Sequence, residues 1–177
     1  MRRLVLGVGS LLLLQATAQA QLELRPGDVV AIVGNALAER MVHDGTFEAR
    51  LQLAHPKHWL SVRNLGFAGD EVVTRQRTNG FGTPDEHLAE VNASVVVAMF
   101  GEVESFRGEG GKSQFAYELA QYVRHLRETR YDKRGLGERS TRTPDVVLVA
   151  PIPYLWRSVQ IVLWNRRREN GLRGARP

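Results

Sequence analysis

The sequence predicts an α/β domain with a mostly parallel sheet covered by helices on both faces, and three apolar runs carry that reading. Val29 to Val33, Ala93 to Phe100 and Asp145 to Pro153 are rich in valine and isoleucine, and their apolar residues run on rather than alternate. Continuous β-branched runs of this length are the pattern of strands buried on both faces. Helix-forming or helix-periodic segments lie between them, at lengths that suit βαβ crossovers.

The first strand, Val29 to Val33, meets a sharp turn at Gly34-Asn35, and Ala36 to Met41 then consists of good helix formers. In an open α/β sheet ligands gather at the carboxyl ends of the strands, so Ala36 stands at a position of interest. His55-Pro56-Lys57-His58 is a polar turn, and the apolar positions 60, 62 and 65 within Trp59 to Gly66 predict a second strand. Two histidines flanking a proline could ligate a metal, but no third ligand of matching spacing follows, so a solvated turn is expected. Phe67 to Glu71 is the loop at that strand's end. Thr83-Pro84-Asp85-Glu86 supplies an N-cap, a proline at the first helical position and a capping-box glutamate, opening a short helix through Leu88 and Val91. Ala93 to Phe100 reads as a central strand, followed by the glycine-punctuated loop Gly101 to Gly111. From Ser113 to Tyr131 the residues Phe115, Leu119, Tyr122, Val123 and Leu126 recur at helical spacing, the mark of an amphipathic covering helix on which His125 is expected to be solvated. A polar linker, Asp132 to Thr143, leads to the last strand, closed by Pro151 and Pro153.

A chain of 177 residues with 43% apolar and 24% charged residues suits one globular domain. Arg2 and Arg3 precede an apolar run from Leu4 to Leu14, and Ala18-Gln19-Ala20 has the small-x-small pattern of a cleavage site. Residues 1–20 therefore read as a signal peptide of an exported protein, the run being too short to span a bilayer well. The chain has no cysteine, which excludes disulfides and thiolate metal sites. The formal charge of +5 sits at the ends, in Arg2, Arg3 and a basic tail after Tyr154, and leaves 21–154 at −2. A basic stripe across the folded part, which nucleic-acid binding needs, is thus absent from the sequence.

Three loops fall at the carboxyl ends of the predicted strands: Gly34-Asn-Ala-Leu37, Asn64-Leu-Gly-Phe-Ala-Gly-Asp70 and Gly101-Glu-Val-Glu104. Together they resemble the first three sequence blocks of the SGNH/GDSL hydrolases, a family of esterases and lipases with a three-layer α/β/α flavodoxin-like fold. The resemblance covers about residues 26 to 153, is closest at Arg63 to Val72 and Phe100 to Gly111, and looks like an exported bacterial branch. It implies a nucleophile position at Ala36, oxyanion positions at Gly69 and Val103, and a crevice whose binding residues would be Asn35, Asn64, Gly69, Glu102 and Glu104. The ligand implied is an acyl or acetylated-carbohydrate ester, with no cofactor and no metal.

The functional residues of the family are mostly replaced. Ala36 stands where the family has serine, Asn35 where it has aspartate and Val103 where it has asparagine; Gly69 alone keeps its family residue. No histidine in the chain has an aspartate three positions before it, so the family's closing Asp-x-x-His is missing. The expectation is a hydrolase-type domain over 21–154 that is C-terminally incomplete and has lost its catalytic groups, a pseudoenzyme; a non-catalytic acyl- or carbohydrate-binding module using the same crevice is the alternative. A second alternative makes Glu102, Glu104, Asp70 and Glu71 an acidic metal or sugar site, although acidic loop residues are usually just solvated. Residues 155–177 form a basic non-family tail with no strand partner evident. A replaced ending is favoured there over an anchor holding Trp156 and Trp164 at an anionic membrane surface.

Overall fold

A computed structural model describes residues 22–75, 77, 80–131 and 143–150, with the backbone of 161–164. The segment expected to be a signal peptide, the polar linker up to residue 142 and most of the tail lie outside these residues. Five strands form one sheet in the order β2-β1-β3-β4-β5: β1 Val29–Gly34, β2 Ser61–Asn64, β3 Val95–Met99, β4 Asp145–Val149 and β5 Ile161–Trp164. The pairings β1 with β2, β1 with β3 and β3 with β4 are parallel. Strand order therefore reverses direction at β1, with β2 on one side and β3 on the other, a layout consistent with flavodoxin-like folds.

Valine content and burial agree in the central strand: every residue of β3 is buried. Its side chains alternate between two cores because successive residues of a strand point to opposite faces. Val96 and Ala98 join Ala31, Val33 and Val146 on one face, while Val95, Val97 and Met99 join Val30, Ile32 and Val147 on the other. Helices α3 (Pro84–Glu90) and α5 (Lys112–Glu128) cover the first face through Leu88, Val123 and Leu126. Helices α1 (Ala36–Arg40) and α2 (Thr46–Ala54) cover the second through Leu37, Ala38, Phe47 and Leu51. The result is three layers, with the amphipathic stripe of α5 placed as its spacing predicts. At the opposite ends of β1 and β3, Ser94 Oγ accepts from the Val29 amide at 2.9 Å and donates to Asp28 Oδ1 at 2.8 Å, tying the start of both strands together.

Four expectations are corrected. The helix after β1 stops at Arg40, and a 3₁₀ turn, Met41–His43, leads into α2, which the sequence reading did not separate. The loop after β3 is partly helical, with α4 at Glu102–Ser105 and a 3₁₀ turn at Glu109–Gly111. The last buried strand ends at Val149 rather than running on to the prolines. The tail does have a strand partner: β5 pairs antiparallel with β4, Val146 opposite Trp164 and Val149 opposite Ile161, so the outer edge of β4 is covered. Backbone hydrogen bonding, which sequence pattern does not register at an edge, decides that pairing.

The capping box at Thr83 forms as its motif predicts. The Thr83 hydroxyl accepts from the Glu86 amide at 3.2 Å and the Glu86 carboxylate accepts from the Thr83 amide at 2.6 Å, which holds the Glu86 carboxyl below its usual value. Among the described residues no helix is long and apolar enough to cross a membrane.

Candidate functional site

The carboxyl ends of β1, β2 and β3 converge on Gly34. This residue has φ +142°, and a Cβ on it would overlap the Met99 carbonyl of β3. Its own carbonyl accepts from the Phe67 amide at 3.0 Å, and the next amide, Asn35, donates to Met99 at 3.3 Å. The turn after β1 is therefore fixed from both neighbouring strands. Asn35 is 1% exposed, and its side-chain Nδ2 is buried without a hydrogen-bond partner; such an orphan donor costs roughly 1–3 kcal/mol. Ala36 opens α1 directly behind it and carries only a methyl group.

Asn64 closes β2 and serves the fold with both ends of its amide. Nδ2 donates to the Ala38 carbonyl at 2.7 Å and Oδ1 accepts from the Gly66 amide at 2.8 Å. Gly66 itself has no room for a side chain, because a Cβ would collide with Ala38. Gly69 is exposed, with φ +87° and open space around it, so its amide lies on an accessible loop. Val103 lies half-buried on α4 and offers no donor from its side chain, while Glu102 beside it is exposed.

Glu104 departs most from expectation. It is 3% exposed, and its carboxylate accepts from the Val72 amide at 2.8 Å through one oxygen and from the Gly101 amide at 2.9 Å through the other. A buried carboxylate persists where hydrogen bonds replace its hydration, and two amides do that here. Its effect is to bolt the loop after β2 to the loop after β3. Asp70 is buried likewise, at 2% exposure, and receives Arg77 at 2.6 and 2.8 Å and Arg75 at 3.3 Å. Glu71 pairs with Arg107. Of the four loop acids only Glu102 is a solvated surface group, which corrects the expectation that they simply face water. Among the described residues no three His, Asp or Glu side chains cluster in a way that could hold a metal ion.

Sequence reasoning missed a cavity of about 380 Å³ beside these loops. Val33, Leu65, Phe67 and Phe81 form its apolar wall, and Arg75, Arg77, His87 and Tyr122 its polar one. The Arg77 guanidinium lies 4.0 Å from the Phe67 ring centre and 5.5 Å from that of Phe81; Arg75 lies 4.5 Å from that of Phe100. Cation–π contacts of this kind let a guanidinium sit against apolar groups. Burial pushes the Tyr122 phenol up to about 12, against the opposing pull of Arg75, so it stays protonated at neutral pH. The available signal was two arginines at i and i+2 with phenylalanines on either side in sequence. Charge in a loop is too common a pattern for that to stand out.

Among the described residues the histidines form no nucleophile–base pair. His125 is exposed but not free: Nε2 lies 2.7 Å from Asp85 Oδ2, and Asp85 Oδ1 accepts from the Tyr131 hydroxyl at 2.7 Å. Burial and that hydrogen bond raise the Tyr131 phenol far above its ordinary value. His55 and His58 stack with ring centres 5.0 Å apart. Among the described residues no serine or threonine hydroxyl bonds a histidine ring.

If the Glu104 carboxylate is the bolt between the loops, Glu104→Gln turns one acceptor into a donor facing an amide. Equilibrium urea unfolding is expected to show a loss of about 1–3 kcal/mol, against no more than about 0.5 kcal/mol for Glu102→Gln. Equal effects of the two changes would remove Glu104 from that role.

No protein-family model matches the chain, and no curated protein is a match to it.

Proposed function

We propose that this chain is an SGNH/GDSL hydrolase-type domain without catalytic turnover, whose crevice at the carboxyl ends of β1, β2 and β3 binds an acyl or carbohydrate ester ligand. The observation that carries the reading is positional. A strand order that reverses at β1 brings Gly34 to Leu37, Asn64 to Asp70 and Gly101 to Glu104 to one end of the sheet, where such folds bind ligands. The chemistry at that end supports binding over hydrolysis. Serine hydrolysis needs a nucleophile, a base to take its proton, and donors where negative charge develops. Ala36 has no side-chain oxygen and Val103 no side-chain donor, and Glu104 is already engaged by two amides.

Losing one oxyanion donor typically costs about 10² to 10³ in turnover, and losing a serine nucleophile on the order of 10⁶. The missing nucleophile is the larger loss and removes the family's covalent mechanism by itself. Hydrolysis of an activated acetyl ester by purified 21–177 is therefore expected to stay at the buffer rate, and Ala36→Ser is expected to remain there too, since no base accompanies it. Turnover well above buffer that Ala36→Gly abolishes would overturn the reading.

Export completes the proposal, supported by the basic start, apolar run and Ala18-Gln19-Ala20 pattern. Intact-mass measurement of exported material is expected to find a mature chain beginning at Gln21. Recovery of chains that retain Met1 or Arg2 would contradict it.

A further inference from the structure

The cavity between Phe67 and Phe81 contains a cation that the fold serves poorly. A guanidinium carries five N–H donors. Arg75 makes two hydrogen bonds, to Asp70 Oδ2 and to the Val72 carbonyl, both 3.3 Å long and beyond the usual range for N–H···O contacts. Its side chain is only 12% exposed and forms part of the cavity wall. The carboxylate it shares is committed elsewhere, because Arg77 takes both oxygens of Asp70 at 2.6 and 2.8 Å.

Two guanidiniums thus meet one carboxylate, and among the described lining residues Asp70 is the only acid. Glu86 comes near the rim at Gly82, but its carboxylate is held by the Thr83 amide. Among the described lining residues the charges of Arg75, Arg77 and Asp70 leave one positive charge in excess. A guanidinium so placed gains most from a carboxylate, whose two oxygens match its paired N–H groups. One more polar atom of the wall, His87 Nε2, is buried with no hydrogen-bond partner, and the buried Tyr122 hydroxyl has only Arg75 beside it. The remaining lining is apolar or aromatic, and a volume of about 380 Å³ falls at the lower end of small-molecule sites.

We propose that this cavity binds a small monocarboxylate with an apolar or aromatic body, the carboxylate on Arg75 and the body against Leu65, Phe67 and Phe81. A monoanion matches the single excess charge, whereas a phosphate dianion would reverse it. The site shares the loop 64–70 with the crevice proposed above, but Arg75 and Phe81, on which its tests turn, are not crevice residues.

Titration calorimetry of the full chain with cyclohexanecarboxylate, cyclohexanecarboxamide and inorganic phosphate tests it. The acid is expected to bind saturably at one site, at least tenfold more tightly than the amide or phosphate. Arg75→Gln is expected to weaken the acid at least tenfold and to leave the amide unchanged. Phe81, 51% exposed, can be shortened without opening the core, and Phe81→Ala is expected to weaken the acid several-fold with the melting temperature kept. If Arg75→Gln does not fold, the acid–amide ratio and Phe81→Ala decide alone. Absence of saturable binding, equal binding of acid and amide, tighter binding of phosphate, or an acid affinity untouched by Phe81→Ala would each overturn the proposal.

Discussion

The close approach of Gly34 to the Met99 carbonyl is the constraint on which the functional end of this molecule depends. Parallel strands β1 and β3 run side by side with Gly34 opposite Met99, and at that point the backbone of one strand occupies the space a side chain on the other would need. The left-handed region that Gly34 occupies, at φ +142°, is one that residues with a Cβ rarely adopt. Because the turn is thereby fixed, Asn35 is driven inward, α1 begins at Ala36, and the Phe67 amide finds the Gly34 carbonyl. A single backbone contact between neighbouring strands sets where three loops meet.

Buried carboxylates do the rest of the positioning. Glu104 joins the loops after β2 and β3 through the Val72 and Gly101 amides, and Asp70 gathers Arg75 and Arg77 against Phe67, Phe81 and Phe100. Charge-assisted bonds to backbone amides are short and geometrically strict, so loops held this way can present groups at fixed places without long regular elements. That makes α4 intelligible. A helix of one turn lies far below the length at which helices are stable alone, and here it exists between the Gly101 amide and the Glu104 carboxylate that holds it. Acids that could have formed a metal or sugar site are engaged in holding the loops after β2 and β3.

Much of the architecture was legible in the sequence because the signals were local and strong. The valine run of β3, the capping box at Thr83 and the apolar stripe from Phe115 to Leu126 each state one element in one stretch of chain. Helix α2 was not legible: none of its residues is fully buried and its apolar face is weak, so packing of Phe47 and Leu51 on the sheet, not periodicity, makes it a helix. Strand β5 depends on a partner in β4, which no local pattern names. The loops at the carboxyl ends were found by their glycines, but what they do was not. Asn64 and Glu104 read as crevice residues and Asp70 as a loop acid until hydrogen bonds to Ala38, Val72, Gly101 and the nearby Arg75 and Arg77 tie them into the fold, and the cavity of Arg75, Arg77 and Tyr122 joins segments far apart in the chain.

The contact between Gly34 and Met99 can be tested by adding one methyl group. Equilibrium unfolding of Gly34→Ala should show a loss of at least about 2 kcal/mol, from backbone strain and overlap together, or no cooperative transition at all. Gly45→Ala, where a Cβ meets open space, should stay within about 1 kcal/mol of the parent protein. Coincident unfolding curves for the two variants would contradict the account.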